Sequence, residues 1–129
     1  MILLDTHVLV WLARDPAKLS NAAADVIRTS ARNGGLAISA MTIWELAWLA
    51  THGRLDLKEP VDDFVEELTS RTAIRPITQR IAILATQLPV TYPNDPSDRL
   101  IGATAMAEGI ALVTKDRSIR NCRQIKTIW

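Results

Sequence analysis

A chain of 129 residues, 48% hydrophobic and 22% charged, is long enough to close a core without staples, and one domain over residues 1–129 is expected. The single cysteine, Cys122, excludes an internal disulfide, and no Cys/His cluster has zinc spacing, which fits a reducing, cytoplasmic setting. Asp5, His7 and Arg14 interrupt the apolar N-terminus and no stretch reaches membrane-spanning length, so neither export nor membrane insertion is expected, while a net charge of +1 neither implies nor excludes nucleic acid.

In chain order, Ile2–Leu4 is a short apolar run that predicts a strand, and Thr6 to Leu12 after it carries a helical pattern. Asn33-Gly34-Gly35 reads as a turn, and Leu36–Ser39 as a second strand. Met41–His52 is apolar nearly all round, with Trp44 and Trp48 one turn apart and Gly53 as a C-terminal cap; such a helix needs burial on several sides, through core packing or a subunit interface. Val61, Phe64, Val65 and Leu68 fall at helical spacing, with Pro60 at a first helical position and Asp62 and Asp63 in the first turn.

Ala73–Ile77 predicts a third strand, and Ile81, Leu84, Ala85 and Leu88 a helix ending near Leu88-Pro89. Asp95-Pro96-Ser97-Asp98 has the form of a helix entry, and the helix runs on through Leu100, Ile101, Ala103, Thr104 and Ala107 to a Gly109 stop. Ala111–Thr114 predicts a fourth strand, with a weaker one near Gln124–Ile128. Strands separated by helices lie parallel in a sheet covered on both faces, so the fold class is α/β, an α/β/α sandwich.

Four carboxylates stand where the apolar segments end or where a helix leaves them little polar company: Asp5, Glu45, Asp98 and Asp116. Each has a local alternative. Asp5 can cap the helix that follows, Asp98 can sit in a first turn for its dipole, Asp116 can cap a short helix, and Glu45 can face solvent on one stripe. Capping does not require all four in one small α/β domain. Acids that leave apolar segments cost desolvation unless partnered, and a hard divalent cation such as Mg²⁺ is the partner that oxygen ligands suit. At the end of a parallel strand Asp5 would face the crevice where open α/β sheets bind ligands, with the Thr6 hydroxyl beside it for phosphate or a metal's water.

The chemistry that fits is metal-assisted phosphodiester hydrolysis, which needs no serine, cysteine or histidine nucleophile. His7 and His52 have no partner acid and serine at motif spacing and read as structural. From Lys115 to Lys126 the chain carries Lys115, Arg117, Arg120, Arg123 and Lys126 against one acid, Asp116. This segment is either a solvated face or a contact for phosphates.

Leu3-Leu4-Asp5-Thr6-His7, Ser39 to Leu46, Asp95-Pro96-Ser97-Asp98-Arg99-Leu100-Ile101 and Leu112-Val113-Thr114-Lys115-Asp116 together resemble the VapC-type toxins of the PIN-domain family, over the whole chain and in order. The resemblance implies a parallel, five-stranded sheet flanked by helices and a Mg²⁺- or Mn²⁺-dependent endoribonuclease. It also implies a type II toxin silenced by a small VapB-type antitoxin, and a homodimer. Asp5, Glu45 and Asp98 match the family's core acids, Asp116 a more variable fourth and Thr6 the usual hydroxyl neighbour. On this reading Arg99, Lys115 and Arg117 are candidate contacts for RNA phosphates. Two rivals differ in class. A non-catalytic RNA- or protein-binding module is disfavoured by the intact acid quartet. A phosphoacceptor regulatory domain needs an aspartate at the end of a central strand, where the second and third strands here end in Ser39-Ala40 and Ile77-Thr78.

Overall fold

Residues alternate between two cores along each central strand. In β1 (Ile2–Leu4) the side chains of Ile2 and Leu4 enter one core and Leu3 the other; β2 (Leu36–Ser39) sends Leu36 and Ile38 to the first and Ala37 to the second. This is the two-residue period of a strand buried on both faces. The computed structural model describes Met1 to Trp129 throughout. Its five strands form one all-parallel sheet in the order β3-β2-β1-β4-β5, with β3 at Ala73–Arg75, β4 at Ala111–Val113 and β5 at Thr127–Ile128.

Helices fill the crossovers: α1 (Thr6–Arg14), α2 (Asn21–Asn33), α3 (Ala40–Thr51), α4 (Val61–Thr69), α5 (Gln79–Thr86), α6 (Pro96–Glu108) and the single turn α7 (Arg117–Arg120). Phe64 and Leu68 of α4 join Val8, Leu9, Ile27 and Leu46 over one face, while Ile101 and Ala105 of α6 join Tyr92, Ile119 and Ile125 over the other. The expected α/β/α sandwich is therefore present.

Strands are shorter than the apolar runs suggested. β3 stops at Arg75 instead of Ile77, because Pro76 has no N–H to continue a ladder, and β5 covers only Thr127–Ile128 of the Gln124–Ile128 segment. Pro60 is the cap of α4 instead of its first helical residue. Gly53 and Gly109, past the ends of α3 and α6, have φ of 67° and 64°, the left-handed conformation that closes a helix and that a Cβ disfavours.

The largest departure is α3. Only Thr42 and Leu46 are buried, and Trp44 and Trp48 are 54% and 46% exposed. Their rings stack at 5.3 Å, and His52 stacks on Trp48 at 3.6 Å, so the tryptophans line the outer face and core packing does not account for them.

β1 is central, with β2 on one side and β4 on the other, so the chain leaves it in opposite directions. Such a switch point opens a crevice at the carboxyl ends of the strands. Asp5 follows β1, α3 with Glu45 follows β2, and Thr114 to Asp116 follow β4.

Candidate active site

Asp5 is buried and its carboxylate is held from two sides. Oδ1 accepts from the Thr6 backbone N–H at 2.8 Å, which caps α1, and Oδ2 accepts from the Thr114 hydroxyl at 2.7 Å. Capping and site geometry, alternatives in the sequence, are one arrangement in the fold. Thr114 also accepts the Asp116 backbone N–H at 3.1 Å, so one buried hydroxyl couples the ends of β1 and β4. Asp116 in turn caps α7, accepting from Ser118 N–H at 2.7 Å through Oδ1.

On the other side, the Thr6 hydroxyl donates to Glu45 Oε1 at 2.6 Å and lies 3.1 Å from the fully buried Thr42 hydroxyl. Thr6 thus joins Asp5 to Glu45. His7 adds a contact on the same carboxylate: Lys115 N–H donates to its Nε2 at 3.2 Å, leaving Nδ1 facing Asp5 Oδ2 at 3.5 Å. Nε2 is thus the acceptor for the β4 end, while Nδ1 points at the acid.

Asp98 enters from the first turn of α6, whose cap Asp95 accepts from Ser97 N–H at 2.8 Å and whose first residue is Pro96. Its carboxyl is pushed up to about 7, by burial first and then by the negative charges of Asp5, Asp95, Glu45 and Asp116. The four sequence-predicted acids therefore share one electrostatic environment, as like charges gathered without a cation must. The backbone carbonyl of Asp98 accepts from the buried Tyr92 hydroxyl at 2.7 Å, and burial together with the Asp98 charge raises the Tyr92 phenol far above its ordinary range. Tyr92 stays a protonated donor that anchors the start of α6.

The donor set suits a hard cation, being all oxygen with excess negative charge. The buried Ser97 Oγ, one residue before Asp98 in the chain, has no hydrogen-bond partner. The carboxylates nevertheless do not close into a cage: no three His, Cys, Asp or Glu side chains converge at metal-ligand spacing. Asp5 and Glu45 are instead turned toward Thr6 and Thr114, and an ion that keeps several waters needs only one or two direct carboxylates.

Of the tentative substrate contacts, Lys115 and Arg117 are exposed beside Asp116, and Thr6 is inside the acid network. Arg99 is not available. Its guanidinium donates to the Ala85 carbonyl at 3.1 Å and to Leu88 O at 3.5 Å, so it satisfies the last turn of α5. The sequence reading missed Thr42, Thr114 and Tyr92, and took His7 for a structural residue. A hydroxyl directly after an apolar strand was the signal for Thr114.

A twisted parallel sheet with acids at the switch point defines a PIN-type α/β fold, and the comparisons agree. The PIN domain family model matches residues 2–124, and the chain belongs to that family. It is 41% identical to Ribonuclease VapC22 of Mycobacterium tuberculosis (strain ATCC 25618 / H37Rv) over 99% of this chain and 98% of the relative. Among solved structures it resembles VapBC2 from Rickettsia felis bound to a promoter DNA fragment, with a TM-score of 0.76 and 20% identity over 98% of this chain and 97% of the other. VapBC-1 from nontypeable Haemophilus influenzae gives 0.74 and 20% over 98% and 96%. At such identity these two comparisons speak to the fold.

Proposed function

We propose that this chain is a metal-dependent endoribonuclease and the toxin of a type II toxin–antitoxin pair, with Asp5, Glu45, Asp98 and Asp116 as its acidic site. The observation that carries the reading is the gathering of these acids at the carboxyl end of the central strand: Thr6 lies between Asp5 and Glu45, Thr114 ties the Asp5 carboxylate to the Asp116 backbone, and the charges of Asp5, Glu45 and Asp116 are felt at Asp98. The 41% identical relative named a ribonuclease supports the activity, and the VapBC likenesses support a VapB-type partner.

Asp5 and Asp98 would bind Mg²⁺, or Mn²⁺, directly, with Glu45 on the ion or its water and Asp116 completing the site; when bound, the ion acidifies an attacking water and neutralises charge on the phosphate in the transition state. The protein's own part is preorganisation. Thr6 and Thr114 fix the Asp5 and Glu45 oxygens, His7 closes the exposed side of Asp5, and Tyr92 pins the α6 entry that carries Asp98. Lys115 and Arg117 draw the RNA backbone toward the acids. An apolar groove between α1, α2 and α4, lined by Leu9, Leu12, Leu19, Ile27 and Leu68, suits an antitoxin segment, and the exposed Trp44 and Trp48 suit a homodimer contact. No helix is long and apolar enough to cross a membrane, and a cytoplasmic site of action follows from the RNA substrate.

Incubation of the purified protein with total RNA in Mg²⁺ or EDTA, followed by mapping of new ends, tests the reading. Discrete cleavage in Mg²⁺, none in EDTA, and growth arrest relieved by the adjacent antitoxin frame are expected. A protein that leaves RNA intact in Mg²⁺ and Mn²⁺ contradicts it.

A further inference from the structure

His7 is the second residue of α1, and its imidazole reaches two other elements at once. Nε2 accepts the Lys115 backbone N–H at 3.2 Å, and Nδ1 faces Asp5 Oδ2 at 3.5 Å. Neither contact is needed to satisfy a polar group. Asp5 already accepts from the Thr6 N–H and the Thr114 hydroxyl, and Lys115 is exposed, so water would serve its N–H equally well. A ring adds what water does not, a fixed distance between two nitrogens. With it comes a fixed relation between the carboxylate after β1 and the turn after β4.

The ring is itself held. Trp11, one turn further along α1, meets it edge-on at 4.9 Å, and Trp129 packs on Trp11 at 5.9 Å. Trp129 follows β5, which pairs with β4, so the contacts close a circuit: α1 to the β4 turn through His7, and β5 back to α1 through Trp129. The Lys115 side chain joins it, with Nζ over the Trp11 ring at 5.6 Å, inside the distance at which a cation is drawn to an aromatic face. One residue of α1 therefore holds Lys115 by its backbone and another by its amine.

We propose that His7 is a positioning residue of the nuclease, a strut that fixes the Asp5 carboxylate through Nδ1 and the Lys115 turn through Nε2, so that metal ligand and phosphate contact keep one spacing. The inference rests on the ribonuclease reading and gives the ring no part in the chemistry itself. Groups that orient a metal's ligands commonly carry roughly ten- to a hundredfold of metal affinity or activity. The two ends of the strut have separable consequences. Its Nδ1 end acts on metal affinity and kcat, and its Nε2 end on the hold on RNA and KM.

Two substitutions in the full chain separate these ends. In His7→Asn the amide nitrogen takes the place of Nδ1 and stops short of Lys115, whereas in His7→Gln an amide oxygen reaches the place of Nε2 and nothing replaces Nδ1. In EDTA without RNA, the Lys115 N–H should exchange with solvent deuterium slowly in the wild type and in His7→Gln, and faster in His7→Asn. His7→Gln should weaken Mn²⁺ binding about tenfold and lower kcat, with KM little changed on a transcript spanning one mapped cleavage site. His7→Asn should keep Mn²⁺ affinity near the wild type and raise KM, by less than the roughly tenfold that losing a charged hydrogen bond outright would cost. Should one variant fold poorly, the other still decides, because each moves one constant and not the other. The strut is overturned if both variants shift Mn²⁺ affinity and KM together, or shift neither while lowering the urea midpoint alike, as a residue that only packs would do. It is also overturned if the Lys115 N–H exchanges no faster in His7→Asn than in the wild type. Wild-type constants in both variants sink the strut and spare the nuclease. A wild type that cuts no RNA sinks the nuclease, and the exchange and Mn²⁺ measurements, which need no RNA, then decide the strut alone.

Discussion

Asp98→Asn is expected to stabilise the metal-free protein, and by an amount that depends on pH. A carboxyl pushed up to about 7 from an ordinary 3.8 keeps its proton in the folded state over an interval in which the unfolded chain has already lost it. The folded state binds more protons there, so wild-type stability falls as pH rises from about 4 to about 7 and then levels. Roughly three pH units at ~1.4 kcal/mol each set an upper bound of ~4 kcal/mol, and partial solvent access to Asp98 reduces this to ~2 kcal/mol. Asparagine copies the protonated acid without titrating. Urea unfolding in EDTA at pH 4 should therefore separate the two proteins little, and at pH 8 the variant should lead by ~2 kcal/mol. Saturating Mg²⁺ should stabilise the wild type and not the variant, by ~2.7 kcal/mol at a hundred times the dissociation constant. A stability difference equal at pH 4 and pH 8 would refute the account of Asp98.

Thr114→Val keeps the shape of a buried hydroxyl and removes its bonds to Asp5 and Asp116; urea unfolding should show a loss of ~1–3 kcal/mol, and cleavage should slow with it. Arg99→Ala should cost ~1–2 kcal/mol through the freed α5 carbonyls and leave the salt dependence of RNA binding unchanged, whereas Lys115→Ala should flatten that slope. Gly102→Ala places a methyl against the Tyr92 hydroxyl and Ile125; a calorimetric loss of ~1–3 kcal/mol is expected, with weaker cleavage as Tyr92 leaves Asp98.

The acids were legible because their neighbours are apolar: Asp5 and Asp116 stand just past buried strands, and a strand's direction alone carries them to one edge of the sheet. What joins them was not legible. Thr114 and Asp5 are 109 positions apart, and Thr6 and Glu45 are 39 apart, so no local spacing announces either bond. Arg99 misled because a cation next to an acid suggests phosphate, while its reach was to carbonyls fourteen residues back. Trp44 and Trp48 left two readings open, core packing or a subunit interface, and their exposure removes the first. A helix apolar on every side has no stripe to mark its buried face, and only the packing of Leu46 and Thr42 against the core shows which way α3 faces.

Manganese binding and RNA cleavage measured on the same samples, for wild type and Asp5→Asn, test the central claim most directly. Mn²⁺ serves as a spectroscopic stand-in for Mg²⁺ at an all-oxygen site. The acid site predicts saturable Mn²⁺ binding and cleavage in the wild type, and loss of both together in Asp5→Asn with the circular dichroism of the fold unchanged. Cleavage by Asp5→Asn at the wild-type rate would contradict the claim, and so would wild-type cleavage that persists with no Mn²⁺ or Mg²⁺ bound.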